Sequence, residues 1–260
     1  MSDTRPDPLV SADELLDAID DPSLRLADVR WFLGEPERGQ AEYAQGHIPG
    51  AIFVDLDRDL AAPPGEGRHP LPDPTGFADR MGQLGFGDEH TIVIYDAAQG
   101  QYGARMWWML DRLGHESVYL LDGGIAAWRA LDGPWTAARS TPVRATLTLA
   151  TDWPGTIDRE DVAAAGDTID LVDVRAPERY RGEVEPMEQI AGHIPGARNQ
   201  PCGSMLTEDG RMLRGEAVLP LIRGEGERAE RPLVLSCGSG VTACFGALAA
   251  RVAGLPDPIL

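Results

Sequence analysis

The 260-residue chain has no lysine, so all 23 basic side chains are arginine, and any anion site must be built from guanidinium and backbone N–H groups. Against 42 Asp and Glu they leave a formal charge of −19, which excludes a nucleic-acid groove or an anionic membrane surface as a partner. Cysteine is scarce too. Cys202, Cys237 and Cys244 are too few and too oddly numbered for a disulfide framework, and no CxxC pair points to zinc. A reducing compartment with one reactive thiol is the expectation. Long apolar runs are also missing: nothing approaches the roughly 20 residues of a membrane span, and Arg251 interrupts the alanine-rich stretch near the end. The opening MSDTRPDPLV has no apolar core for a signal peptide, so a cytoplasmic location is expected. What is present, 43% hydrophobic, 25% charged and 6% aromatic residues, is the composition of an ordinary globule. The length suits one large domain or two small ones.

Two is the better reading, because the chain repeats itself. LADVRW at Leu26 to Trp31 is echoed by LVDVRA at Leu171 to Ala176, and GHIPGA occurs at both Gly46 and Gly192. VIYD ending at Asp96 aligns with VLSC ending at Cys237. Three matches in one order and at nearly constant offset define two homologous halves. Pro134, Pro142, Pro154 and Gly155 flank a stretch without helical period, giving a first domain over 1–140, a linker over 141–155 and a second domain over 156–260.

Each half alternates strands and helices. The capping box Ser11 to Glu14 opens a helix, Leu24 to Val29 and Thr91 to Tyr95 are apolar strands, and Gly103 to Leu113 is a helix. Ser117 to Leu121 is a strand, and Ile125 to Leu131 is a helix ended by Gly133. In the second half Asp158 caps a helix, Ile169 to Val174 and Pro232 to Ser236 are strands, and Val241 to Val252 is a helix. The expected fold is α/β, a parallel sheet in each half covered by helices on both faces. Gly114 aligns with Gly254 and Leu120 with Leu260, so nothing answers to Leu121 to Gly124 or to the helix carrying Trp128. A truncated carboxyl terminus is the expectation.

The chemistry converges on Cys237-Gly238-Ser239-Gly240-Val241-Thr242-Ala243. A lone cysteine is more often a core residue. Here, however, it leaves a buried strand, crosses a glycine-rich turn and enters a helix, where successive N–H groups stabilise a thiolate or a bound anion. Gly238 and Gly240 permit the curvature, and Ser239 and Thr242 add hydroxyl donors.

With the DVR and GHIPGA pairs, Asp96 opposite Cys237, the DGG turn at Asp122 and CGSGVTA, the chain resembles the tandem-domain rhodanese family, the thiosulfate and 3-mercaptopyruvate sulfurtransferases. The resemblance implies a noncatalytic first domain, a catalytic second domain and a cleft between them. It implies that the Cys237 thiolate takes a sulfur from a small-molecule donor, becomes a persulfide and passes the sulfur to a thiol or cyanide. No metal or organic cofactor is needed; the oligomeric state stays open, with a monomer compatible. CGSGVT resembles the 3-mercaptopyruvate type, whose serine, histidine and aspartate relay falls on Ser239, His69 and Asp57. The family's substrate arginine falls on Arg179, and its second anchor falls on Glu188, a departure that weakens the mercaptopyruvate assignment. Arg181 and Arg105 are substitutes to consider.

Other polar residues read as scaffold. His47 and His193 sit in both GHIPGA turns, and a role present in both halves cannot belong to one active site. Asp28 with Arg30, and Asp173 with Arg175, read as pairs at strand ends. Cys244, two helical turns after Cys237, reads as core, whereas Cys202 in its loop is expected to be exposed. Trp107 and Trp108 read as core and interface packing. A phosphatase would need arginine where Ala243 stands. A noncatalytic persulfide carrier and a thiosulfate-preferring enzyme remain as rivals.

Overall fold

Two orphan donors at the start of the first helix are satisfied locally: Ser11 Oγ accepts from the Glu14 amide at 3.2 Å, and Glu14 accepts from the Ser11 amide at 2.8 Å. The computed structural model describes residues 6–65, 67–187 and 190–260. The first half comprises β1 (Leu9–Val10), α1 (Ala12–Asp17), β2 (Leu24–Asp28), α2 (Arg38–Gln45), β3 (Ile52–Phe53), α3 (Leu56–Asp59), α4 (Pro74–Gln83), β4 (Thr91–Tyr95), α5 (Gly103–Arg112), β5 (Val118–Leu121) and α6 (Gly124–Ala130). All pairings are parallel, in the order β1-β5-β4-β2-β3. Helices cover both faces, which is why β4 reads as a continuous apolar run instead of alternating.

The second half comprises α7 (Arg159–Ala165), β6 (Asp170–Asp173), α8 (Pro177–Tyr180), β7 (Arg198–Asn199), α9 (Leu219–Ile222), β8 (Leu233–Ser236) and α10 (Val241–Val252). Its parallel order is β7-β6-β8, and Ile259 bridges in parallel to Val234 on the other side of β8. Leu260 in turn exchanges backbone bonds with Gly155 and Ile157, so the strand order of the first half is repeated. In the first half α6 lays Trp128 over one sheet face. The matching face of the second half, with Ile157, Val162, Leu171 and Val234, lines a groove of about 710 Å³.

Duplication extends to single hydrogen bonds. Arg30 Nε donates to Asp28 at 2.9 Å and its Nη2 to the Gly46 carbonyl at 3.0 Å; Arg175 repeats both, to Asp173 at 3.0 Å and to Gly192 at 2.6 Å. His47 stacks on Tyr43 and donates to its carbonyl, and His193 does the same to Tyr180. Each tyrosine donates its hydroxyl to the alanine closing its GHIPGA turn, Ala51 or Ala197. These groups lock the turn that leads into β3 in the first half and into β7 in the second.

The main core crosses from one half to the other. Phe77, Trp107 and Trp108 of the first half share one buried cluster with Val174, Phe245 and Leu248 of the second, and α5 lies against α10. Burying each such side chain stabilises the fold by roughly 1.5–3 kcal/mol. At the rim Arg251 pairs with Asp111 across the seam at 2.8 Å. The segment between Ala130 and Arg159 holds no helix or strand, but it packs: Leu147 is buried, and Trp153 stacks on Trp108 while donating to the Pro72 carbonyl at 2.7 Å. Among the described residues, no helix is long and apolar enough to cross a membrane.

Candidate active site

Strand β8 delivers Cys237, and Gly240 turns the chain into α10 with φ +71°, a left-handed value that favours glycine. The first amides of α10 have no partner inside the helix and are suited to an anion. Cys237 is half-buried, and its Sγ accepts the Ser239 N–H at 3.4 Å. The corresponding position of the first half shows what such a loop does with a negative group. Asp96 is fully buried there, and its carboxylate accepts four amides, from Ala98, Gly100, Tyr102 and Gly103, at 2.7–2.8 Å. Burial pushes its pKa up, and the four amide bonds oppose that rise.

Cys237 opens into a cleft of about 90 Å³ between the halves. Trp31, Leu56, Arg68, His69 and Tyr102 line it from the first half; Arg179, Gly238, Ser239, Val241 and Thr242 line it from the second. The halves therefore face one another across Cys237. Asp57, on α3, touches the cleft only through its partners: one oxygen accepts from His69 Nε2 at 2.6 Å, the other from Trp31 Nε1 at 2.8 Å. The contact fixes the tautomer, because a carboxylate only accepts, and it leaves His69 Nδ1 as the basic nitrogen. Nδ1 is buried without a hydrogen-bond partner among the described residues, and His69 holds a left-handed φ of +49°, uncommon outside glycine. Ser239 and His69 line the same cleft, but no hydrogen bond joins them. The aspartate-to-histidine arm of the expected relay is assembled; the serine arm is not.

Arg179 reaches the cleft from α8, but it arrives with a partner that sequence reading missed. Its Nη2 donates to Glu185 at 2.7 Å, and the same carboxylate, 4% exposed, also holds Arg175 at 3.2 Å. Nothing in the spacing of ERYRGEVE singles out Glu185 for this contact. Arg179 Nε remains buried and unpartnered. Neither substitute anchor lines the cleft: Arg181 is exposed and pairs with Glu183, and Arg105 lies behind the cleft wall, bonded to the Leu60 and His69 carbonyls. Glu188 lies outside the described residues. Trp31 and Tyr102, in edge contact at 5.0 Å, are further cleft residues that the sequence pattern did not mark.

The other thiols are shut away. Cys202, expected to be exposed, is buried at 4% exposure, because its turn folds under α10 and its Sγ donates to the Thr242 carbonyl at 3.4 Å. Burial pushes its pKa well up, and it pushes that of Cys244 up to about 12.

Comparison with known proteins bears on the family and the fold. The rhodanese-like domain family matches residues 11–131 and 158–260. The chain is 38% identical over 262 residues to the 3-mercaptopyruvate sulfurtransferase of Homo sapiens, covering 96% of this chain and 87% of that one. It is 35% identical over 245 residues to the thiosulfate sulfurtransferase of Bos taurus, covering 91% and 82%. The crystal structure of the 3-mercaptopyruvate sulfotransferase SseA from Escherichia coli superposes with a TM-score of 0.86 at 32% identity, covering 98% of this chain and 97% of that one. Matched in both halves and along nearly its whole length, the chain belongs to the rhodanese-like family and is a sulfurtransferase with two rhodanese-like domains.

Proposed function

We propose that this sulfurtransferase takes its sulfur from 3-mercaptopyruvate in preference to thiosulfate and carries it as a persulfide on Cys237. The thiolate attacks the donor sulfur, a sulfur–sulfur bond forms and the donor's carbon–sulfur bond breaks. The released electron pair becomes the enolate of pyruvate, which takes up a proton. A thiol or cyanide acceptor then attacks the outer sulfur and regenerates the Cys237 thiolate. Asp57 holds His69 with Nδ1 free for proton transfer, and Ser239 links that nitrogen to the donor once the cleft is filled. Arg179 holds the donor carboxylate through its free edge. The amides and hydroxyls over Gly238, Gly240, Val241 and Thr242 stabilise the transferring sulfur.

The observation carrying this reading is that one cleft holds the half-buried Cys237 together with two buried, unpartnered nitrogens, His69 Nδ1 and Arg179 Nε. A compact dianion has less use for a base, and Gly238 and Ser239 bring no charge to the loop. The test is mass spectrometry of the wild type and Cys237→Ser after exposure to each donor, together with kcat/KM on each. One added sulfur on wild type only, and a higher kcat/KM on 3-mercaptopyruvate, are expected. Equal or better turnover of thiosulfate would overturn the donor assignment, and an adduct surviving in Cys237→Ser would overturn the nucleophile.

A further inference from the structure

A buried cation belonging to the first half sits against the catalytic loop without a carboxylate partner. Arg105, on α5, is 3% exposed. Its Nη2 donates to the His69 carbonyl at 2.9 Å, and Nε and Nη2 both lie 3.4 Å from the Leu60 carbonyl. The guanidinium thus grips the turn that holds His69 in its left-handed conformation. Nη1 faces the other half, where a Cβ added to Gly240 would come within 3.3 Å of it. It also lies beside the Cys244 thiol, whose pKa it opposes in its rise. Among the described residues, no ion pair includes Arg105. Burying a guanidinium against carbonyls alone is costly, and such a charge is retained where an anion forms close by.

We propose that Arg105 is a positioning residue which the noncatalytic half supplies to the site: it fastens the His69 turn to the Gly240 end of the Cys237 loop and lends that loop a positive charge with no carboxylate to cancel it. The two roles separate by chemistry. An ammonium keeps the charge but lacks the rigid planar fork, whereas a thioether keeps the apolar packing and loses the charge.

The inference rests on Cys237 as the nucleophile, but its charge part is read by alkylation, without sulfur transfer, so the two fail separately. The measurement is the rate of Cys237 alkylation at one pH by iodoacetate, an anion, and by iodoacetamide, which is neutral. A change in thiolate content scales both rates together, so their ratio isolates the local field. Arg105→Met should lower the iodoacetate-to-iodoacetamide ratio about fivefold or more, for a unit charge at several ångströms in a partly wet site. Arg105→Lys should hold the ratio within about twofold and lose about tenfold in kcat, as the His69 turn loosens. An unchanged ratio in Arg105→Met, or one equally low in Arg105→Lys, overturns the charge. If Arg105→Met does not fold, Arg105→Lys alone decides: a fallen ratio or a wild-type kcat overturns the proposal.

Discussion

Replacing Glu185 by Gln should strengthen binding of anionic donors, and it should do so by charge. Glu185 holds Arg179 at 2.7 Å and is almost fully buried, so its carboxylate opposes any anion that shares this guanidinium. An anion on the far edge of the same group lies on the order of 7 Å from Glu185, where two unit charges at an effective dielectric of about 20 repel by about 2.4 kcal/mol. Solvent in the cleft reduces this to about 1.4 kcal/mol, a factor of about ten. The mercaptopyruvate carboxylate carries one charge and thiosulfate carries two. KM should therefore fall about tenfold for the first and up to about a hundredfold for the second, so that kcat/KM shifts about tenfold toward thiosulfate. Arg175 keeps its bonds to Asp173, and the isosteric amide still accepts from Arg179, so the loop should hold its shape. Steady-state kinetics on both donors at low and high salt reads the effect, which should shrink as salt rises. A donor ratio unchanged within twofold, or moved toward mercaptopyruvate, would refute the reasoning.

Asp57→Asn should lower kcat on 3-mercaptopyruvate by about a hundredfold and on thiosulfate by much less, because the amide no longer enforces one His69 tautomer; equal losses on the two donors would remove the relay. The buried thiols make a second prediction. Cys202 and Cys244 keep their protons in the folded state at pH values where the unfolded chain has released them, above about 9. Each is a raised pKa, so the stability it contributes is present at low pH and lost as pH climbs toward 12. Urea unfolding between pH 8 and pH 11 should show stability falling by about 1.4 kcal/mol per pH unit for each thiol, and Cys244→Ala should flatten the slope. An identical slope in that variant would show that other groups drive the loss.

The parts legible in the sequence are those set by local pattern. Repetition gave away the two halves, apolar runs the central strands, and the strand, glycine turn and helix around Cys237 the loop that carries it. Helix α10 was readable as a helix; it is apolar around its circumference, with nine of its residues buried. Periodicity says that a face is covered, not what covers it. Hence the stacking of Trp153 on Trp108, the burial of Cys202 under α10 and the grip of Glu185 on Arg179 were out of reach: each depends on where a loop returns in space. The contact of His69 with Asp57 came from likeness to a family, and spacing alone would not have paired them.

The continuous apolar cluster from Phe77 through Trp108 to Phe245 has a bearing on cooperativity. Cutting the chain in the linker would strip α5 and α10 of each other and leave two fragments with raw inner surfaces, so the halves are not interchangeable modules despite their common ancestry. Thermal unfolding should then be a single event, and damage to the hydrophobic face of the half that lacks Cys237 should be felt as lost turnover in the half that has it.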